Sequence, residues 1–70
     1  MSEYVVIYEQ APDGGWGAYL PDLPGVVALG ETRAQVGTRI EEALTAYADE
    51  MQRQGRPLPP PLHRASTLRV

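Results

Sequence analysis

The sequence contains no cysteine, no lysine and no long apolar run, and it holds a single histidine and a single tryptophan in 70 residues. Without cysteine there is no disulfide framework, no Cys-based zinc site and no thiol chemistry, which fits a reducing cytoplasm. No stretch approaches the roughly 20 apolar residues of a membrane span. Met1-Ser2-Glu3 opens without the basic region and apolar core of a secretory signal. Positive charge is also scarce. Six basic residues, all Arg, stand against nine acidic ones, for a net charge of −3. That balance argues against DNA binding by the chain itself, where a basic face is expected, and leaves room for a basic protein partner. The arginine-only usage reads as coding bias. Seventy residues make a single domain, 1–70, with no room for a separate DNA-binding domain. A domain of this size buries only about 60% of the surface its unfolded chain exposes, so it gains from self-association.

What is present is organised around Gly14 to Thr32. Trp16, Ala18 and Leu20 alternate with Gly17 and Tyr19, the two-residue period of a strand. Pro21, Asp22, Pro24 and Gly25 then predict a stiff corner without regular structure, with Gly25 able to take a positive φ. A second extended run covers residues 26–30. Thr32 followed by Gln35 has the form of a capping box, so a helix is expected to start there.

Residues 4–9 form the first predicted strand, dense in β-branched and aromatic side chains. Tyr4, Val6 and Tyr8 fall on one face and Val5 and Ile7 on the other, so both faces are apolar. Either this is the central strand, or a second subunit covers the Val5 and Ile7 face; the latter predicts a homo-oligomer, most simply a dimer. The turn signal of Pro12-Asp13-Gly14-Gly15 joins it to the next strand as a hairpin. From residue 32 to about 54 the period changes. Val36, Ile40, Ala43, Leu44, Tyr47, Ala48 and Met51 form one apolar helical stripe. Gly55 suits the position just past the helix, with Arg53 in the last turn. Gly37 either permits close approach to the sheet or is tolerated at a cost of about 1 kcal/mol. Residues 57–61 are a polyproline connector, and the alternation of residues 66–70 predicts a final strand. The expected fold is α+β, β-β-β-α-β, with one helix packed on a small, mostly antiparallel sheet.

No catalytic or metal site emerges. His63 lacks a nucleophilic partner or a second histidine and reads as a solvated loop residue. Asp13 and Asp22 flank the second strand and could meet as a carboxylate pair, but each is also an ordinary turn residue. The Gly14-Gly15-Trp16-Gly17 run leads into a strand and has no Lys-Ser/Thr, so it is no phosphate loop. No cofactor is expected.

Several segments together resemble the HicB family of antitoxins. They are Gly14-Gly15-Trp16, Pro21-Asp22-Leu23-Pro24-Gly25, Gly30-Glu31-Thr32, Glu42-Ala43-Leu44 and Gly55-Arg56-Pro57-Leu58-Pro59. The resemblance implies a partial ribonuclease-H-like fold without the nuclease's carboxylates. It also implies a non-enzymatic protein that covers a small basic mRNA-cleaving toxin, HicA. The chain carries Val26 where many members have a Cys, and it stops before the DNA-binding module that many members carry. Trp16, Pro21, Asp22, Leu23, Pro24 and Gly25 are the candidate partner contacts, and Val5 and Ile7 the candidate oligomer contacts.

Overall fold

The structure, a computed structural model, describes residues 3–70; the expectation built on Met1 and Ser2 lies outside them. Three strands precede one helix: β1 (Ile7–Gln10), β2 (Trp16–Leu20), β3 (Leu23–Gly30) and α1 (Arg33–Arg53). The strands form an antiparallel sheet in the order β1-β2-β3, and the helix packs on one side of it. The expected α+β arrangement is present. Its central strand is β2, and β1 lies at an edge; β1 begins only at Ile7, so residues 4–6 of the expected strand over 4–9 make no ladder with β2.

The two turns follow from local chemistry. In the β1–β2 loop the Gly15 N–H donates to Asp13 Oδ1 at 2.9 Å, and Gly14 adopts φ +96°, a conformation glycine takes without steric cost. The corner after β2 is tighter than the prolines suggested. Only Pro21 and Asp22 turn, and β3 already begins at Leu23, running through Pro24 and Gly25. Pro24 is tolerated because residues 24–26 lie between the Leu20–Leu23 and Tyr19–Val27 pairs without partners of their own, so its missing N–H breaks no ladder. A register shift between Tyr19 and Leu20 absorbs the tight return, and Gly25 needs no positive φ.

The helix starts where the capping box placed it. Gln35 N–H donates to Thr32 Oγ1 at 3.0 Å, and Gln35 Oε1 accepts from the Glu31 N–H at 2.7 Å. At the other end Gly55 takes φ +69°. Gly55 N–H donates to the Gln52 carbonyl and Arg56 N–H to that of Met51, the paired bonds of a Schellman motif. The predicted stripe faces the sheet. Val36 and Ile40 join Ala18, Leu20, Leu23 and Val26 in the buried core, flanked by Tyr4, Val6, Tyr8, Trp16, Ala28, Ala43, Leu44 and Tyr47. Gly37 faces Tyr8, leaving ordinary van der Waals clearance for a methyl group, 3.5 Å from the hydroxyl.

The final strand does not form. Residues 66–70 are exposed and pair with no strand; Leu68 is 93% exposed. Their alternation supplies only two apolar side chains, Leu68 and Val70. Neither finds a surface to bury against, and an unpaired strand has no ladder to hold it.

Candidate functional site

The expected contact residues fall into separate places. Trp16 pairs with Gly30 at one end of β2, whereas Leu20 pairs with Leu23 at the other. Trp16 is half-buried and lines a hollow of about 580 Å³ with Pro12, Asp13, Gly17 and Leu29. The corner is therefore a different site from Trp16. Within the corner, Leu23 is fully buried in this chain's own core, so its side chain has no surface to offer a partner. Pro24 and Gly25 are exposed, and Pro21 is half-buried. Asp13 and Asp22 sit at opposite ends of a five-residue strand, on the order of 17 Å apart at about 3.4 Å per residue. They cannot act as a carboxylate pair, and Asp13 is already engaged in its own turn.

Asp22 has an unforeseen partner. Its Oδ1 lies 2.6 Å from His63 Nδ1, and its Oδ2 accepts from the His63 backbone N–H at 3.2 Å. The Asp22 side chain is only 4% exposed. The side-chain hydrogen bond from His63 holds the Asp22 carboxyl below its ordinary range, outweighing the desolvation that pushes it upward; the His63 and Leu62 backbone N–H groups act in the same direction as the bond. A second tie joins the Tyr4 hydroxyl to the Pro59 carbonyl at 2.6 Å. His63 is thus a clasp residue fastening the proline connector along the domain. Forty-one residues separate the two partners, and no local spacing rule could have paired them.

The two surfaces of the domain differ in chemistry. On the helix, Glu41, Glu42, Thr45 and Asp49 border a shallow hollow of about 400 Å³, all four of them exposed. This surface can attract a basic partner. Gly25 stands against Tyr47, with 3.8 Å between the ring and an added Cβ, so the exposed corner continues into the C-terminal half of the helix.

The outer side of the sheet is apolar. Antiparallel pairing aligns Ile7, Tyr19 and Val27 in one row across all three strands, and Glu9, Gly17 and Leu29 in the next. Tyr19, Val27 and Leu29 are 40%, 60% and 75% exposed, and Val5 and Ile7 are half-buried. β1 is an edge strand, and of the two candidate oligomer contacts only Ile7 lies in it; Val5 precedes the strand and borders a hollow with Pro61, His63 and Ala65. The residues missed from sequence were Tyr19, Val27 and Leu29. For Val27 and Leu29 the signal was the unbroken Val26-Val27-Ala28-Leu29 run, apolar on both faces like residues 4–8; for Tyr19 it was its place opposite Trp16, Ala18 and Leu20 in the alternation of the second strand.

Among the described residues no group of three or more His, Asp or Glu is placed to hold a metal ion, and no helix is long and apolar enough to cross a membrane. A three-stranded sheet covered on one side by a helix, with carboxylates on the helix and apolar side chains on the open sheet face, makes a small α+β domain. Its family follows from comparison. The model of the HicB-like antitoxin of bacterial toxin-antitoxin systems matches residues 4–68, and the chain belongs to that family. It is similar to UPF0150 protein Ta0767 of Thermoplasma acidophilum, 30% identical over 57 residues that cover 81% of this chain and 83% of the relative. It is also similar to UPF0150 protein ssr1765 of Synechocystis, 32% identical over 56 residues covering 80% and 71%.

Proposed function

We propose that this protein is an antitoxin that binds a small, basic, mRNA-cleaving toxin of the HicA type and inhibits it by covering its RNA-binding face. The observation that carries the reading is the family match over residues 4–68. The acidic helix supports it. A ribonuclease must present a basic surface to phosphates, and Glu41, Glu42 and Asp49 offer that surface its electrostatic complement. Charge of this kind speeds encounter more than it sets affinity. The affinity then comes from packing, for which the exposed Pro24 and Gly25 of the corner are the candidate contacts. Trp16, at the far end of β2, lies outside this surface. Inhibition is steric and the protein is not an enzyme: it occludes the toxin rather than transforming a substrate. The same carboxylates oppose docking of the helix in a DNA groove, so the isolated chain is proposed not to bind DNA. The site of action is the cytoplasm, where mRNA is the toxin's substrate.

A second reading, a self-associating binding module without a toxin, is favoured by the open apolar sheet face. One experiment separates the two. The tagged protein is recovered from its native cell, and any small basic protein that co-purifies is tested for mRNA cleavage with and without it. Cleavage suppressed at a one-to-one ratio supports the antitoxin reading. Charge removal (Glu41→Gln, Glu42→Gln and Asp49→Asn together) should slow association about tenfold or more at low salt. Recovery of no toxin, together with failure to relieve growth arrest by a toxin-like neighbouring gene product, refutes it.

A further inference from the structure

We infer that residues 56–63 are a docking segment held ready in polyproline II form, and that its partner is a protein with an aromatic-lined, acid-rimmed groove of the kind that reads PxxP ligands. The inference is independent of the toxin.

Covalent geometry sets the conformation. Pro57, Pro59, Pro60 and Pro61 each fix φ at about −65°, and the residue before each proline is pushed to an extended ψ. Pro59 and Pro60 meet both conditions at once and Leu58 meets the second, so the run has polyproline II form, with about three residues per turn. Residues three apart therefore share an edge. Pro57 and Pro60 stand on one edge and are exposed, whereas Pro59 and Pro61, on the other two, are half-buried. The domain holds two edges and leaves the third bare.

The segment is fastened at both ends and in the middle. Arg56 N–H donates to the Met51 carbonyl at 2.9 Å, and the Tyr4 hydroxyl to the Pro59 carbonyl at 2.6 Å. Asp22 holds both the ring and the backbone N–H of His63. A free proline-rich peptide must be ordered when it binds. Here the fold has already done the ordering, which raises affinity without any added contact.

Charge selects the occupant. All nine acidic residues lie at or before Glu50, and Arg53, Arg56, Arg64 and Arg69 follow it. Of the two exposed arginines that flank the prolines, Arg64 donates to the Pro61 and His63 carbonyls and lines one hollow with Glu3. Arg56 has only a long contact, 3.4 Å, with Gln54 Oε1. It is the cation left for a partner. A basic toxin would set cation against cation at this end. A proline-reading groove instead packs aromatic rings on the Pro57–Pro60 edge, and an acidic residue at its rim takes the Arg56 guanidinium and fixes the direction of docking.

The test is isothermal titration of the full chain with a purified SH3 domain that takes PxxP ligands preceded by arginine, the probe for this groove class. Micromolar binding is expected. Pro57→Ala/Pro60→Ala should weaken it about tenfold or more, and Arg56→Gln severalfold, with a loss that shrinks as salt rises. Leu68→Ser, in the exposed tail beyond the segment, should bind like the wild type. All these positions are exposed, so circular dichroism should report an intact fold. Tyr4→Phe/Asp22→Ala removes the partners of Pro59 and His63 without altering the proline edge, and should also weaken binding severalfold.

Absence of binding up to about 1 mM overturns the inference. So does a Pro57→Ala/Pro60→Ala variant that binds like the wild type, since the segment would then be read by charge alone. A folded Tyr4→Phe/Asp22→Ala variant with wild-type affinity overturns it as well, because the fastening would contribute nothing. If the folded proline variant loses toxin inhibition, the segment belongs to the toxin; the inference then fails while the antitoxin reading stands. If the titrations behave as expected but no toxin is inhibited, the reverse holds.

Discussion

Leu23 is where an exposed contact and a core residue make opposite demands, so its truncation tests the architecture directly. Its side chain is 0% exposed, packed in the cluster with Ala18, Leu20, Val26, Val36 and Ile40. Leu→Ala at such a site costs about 2–5 kcal/mol, combining lost transfer free energy with the residual cavity. A chain of this length has a total stability of roughly 4–10 kcal/mol at about 0.05–0.15 kcal/mol per residue. Leu23→Ala therefore removes on the order of half of it. With a urea m-value near 1 kcal/mol/M, the unfolding midpoint should fall by about 2–5 M. The single, half-buried Trp16 provides a fluorescence probe of the transition. Leu29→Ala is the matched control, the same chemistry at a position 75% exposed, and should shift stability by no more than about 0.5 kcal/mol. Both are measured at protein concentrations low enough to keep the chain monomeric, so that association does not enter the midpoint. A Leu23→Ala midpoint within error of Leu29→Ala would refute the placement of Leu23 in the core. Any loss of toxin inhibition by a Leu23 variant is expected to track the unfolded fraction, and so to report on folding rather than contact.

Two glycines should respond oppositely to the same substitution. An added Cβ at Gly30 meets Gln35 Oε1 at 2.8 Å and Val36 Cγ2 at 2.9 Å, displacing either the capping glutamine or a fully buried valine, so Gly30→Ala should destabilise by about 1–3 kcal/mol. Gly37 lies in the helix with room for a methyl group, so Gly37→Ala should stabilise by about 0.5–1 kcal/mol; thermal unfolding checks both signs. The Asp22–His63 clasp should open only in acid. Because the folded-state carboxyl is held below its ordinary value of 3.8, the contribution is present above that value and lost as the pH falls through the lowered one. Amide exchange at His63, whose N–H donates to Asp22, should accelerate across that acidic window in the wild type; in Asp22→Asn it should show no matching step.

Much of the fold was legible because its determinants are local. The Thr32–Gln35 box and the Gly55 terminus each act within about one turn, the apolar stripe from Val36 to Met51 repeats every three to four residues, and all three stand in the structure. The corner was misjudged for a tertiary reason. Pro24 and Gly25 break an isolated strand, but at the edge of a sheet anchored by buried Leu23 and Val26 the extended backbone is held from its neighbours. The last strand failed in the converse way. Residues 66–70 have the period of a strand, and period alone does not supply a partner.

The candidate site was harder to read because its parts are non-local. That Trp16 and the corner lie apart depends on the direction and register of β2, and the Asp22–His63 contact depends on where a proline connector returns. Strand order carries the most functional weight. Two apolar faces on residues 4–8 are unremarkable in a central strand, but β1 is an edge, and β3, also an edge, shows the same double-sided pattern in Val26 to Leu29. With the helix covering one side only, both edge strands and Tyr19 between them direct apolar side chains outward. An antiparallel sheet whose second face is meant for water carries polar residues there. Here that position is held mostly by Ile7, Tyr19, Val27 and Leu29, with Glu9 the one carboxylate in those rows, while Glu41, Glu42, Asp49 and Glu50 lie on the helix. The segregation sets acidic side chains on the helix apart from apolar ones on the open sheet face, so substitutions on the two surfaces can be made and read independently.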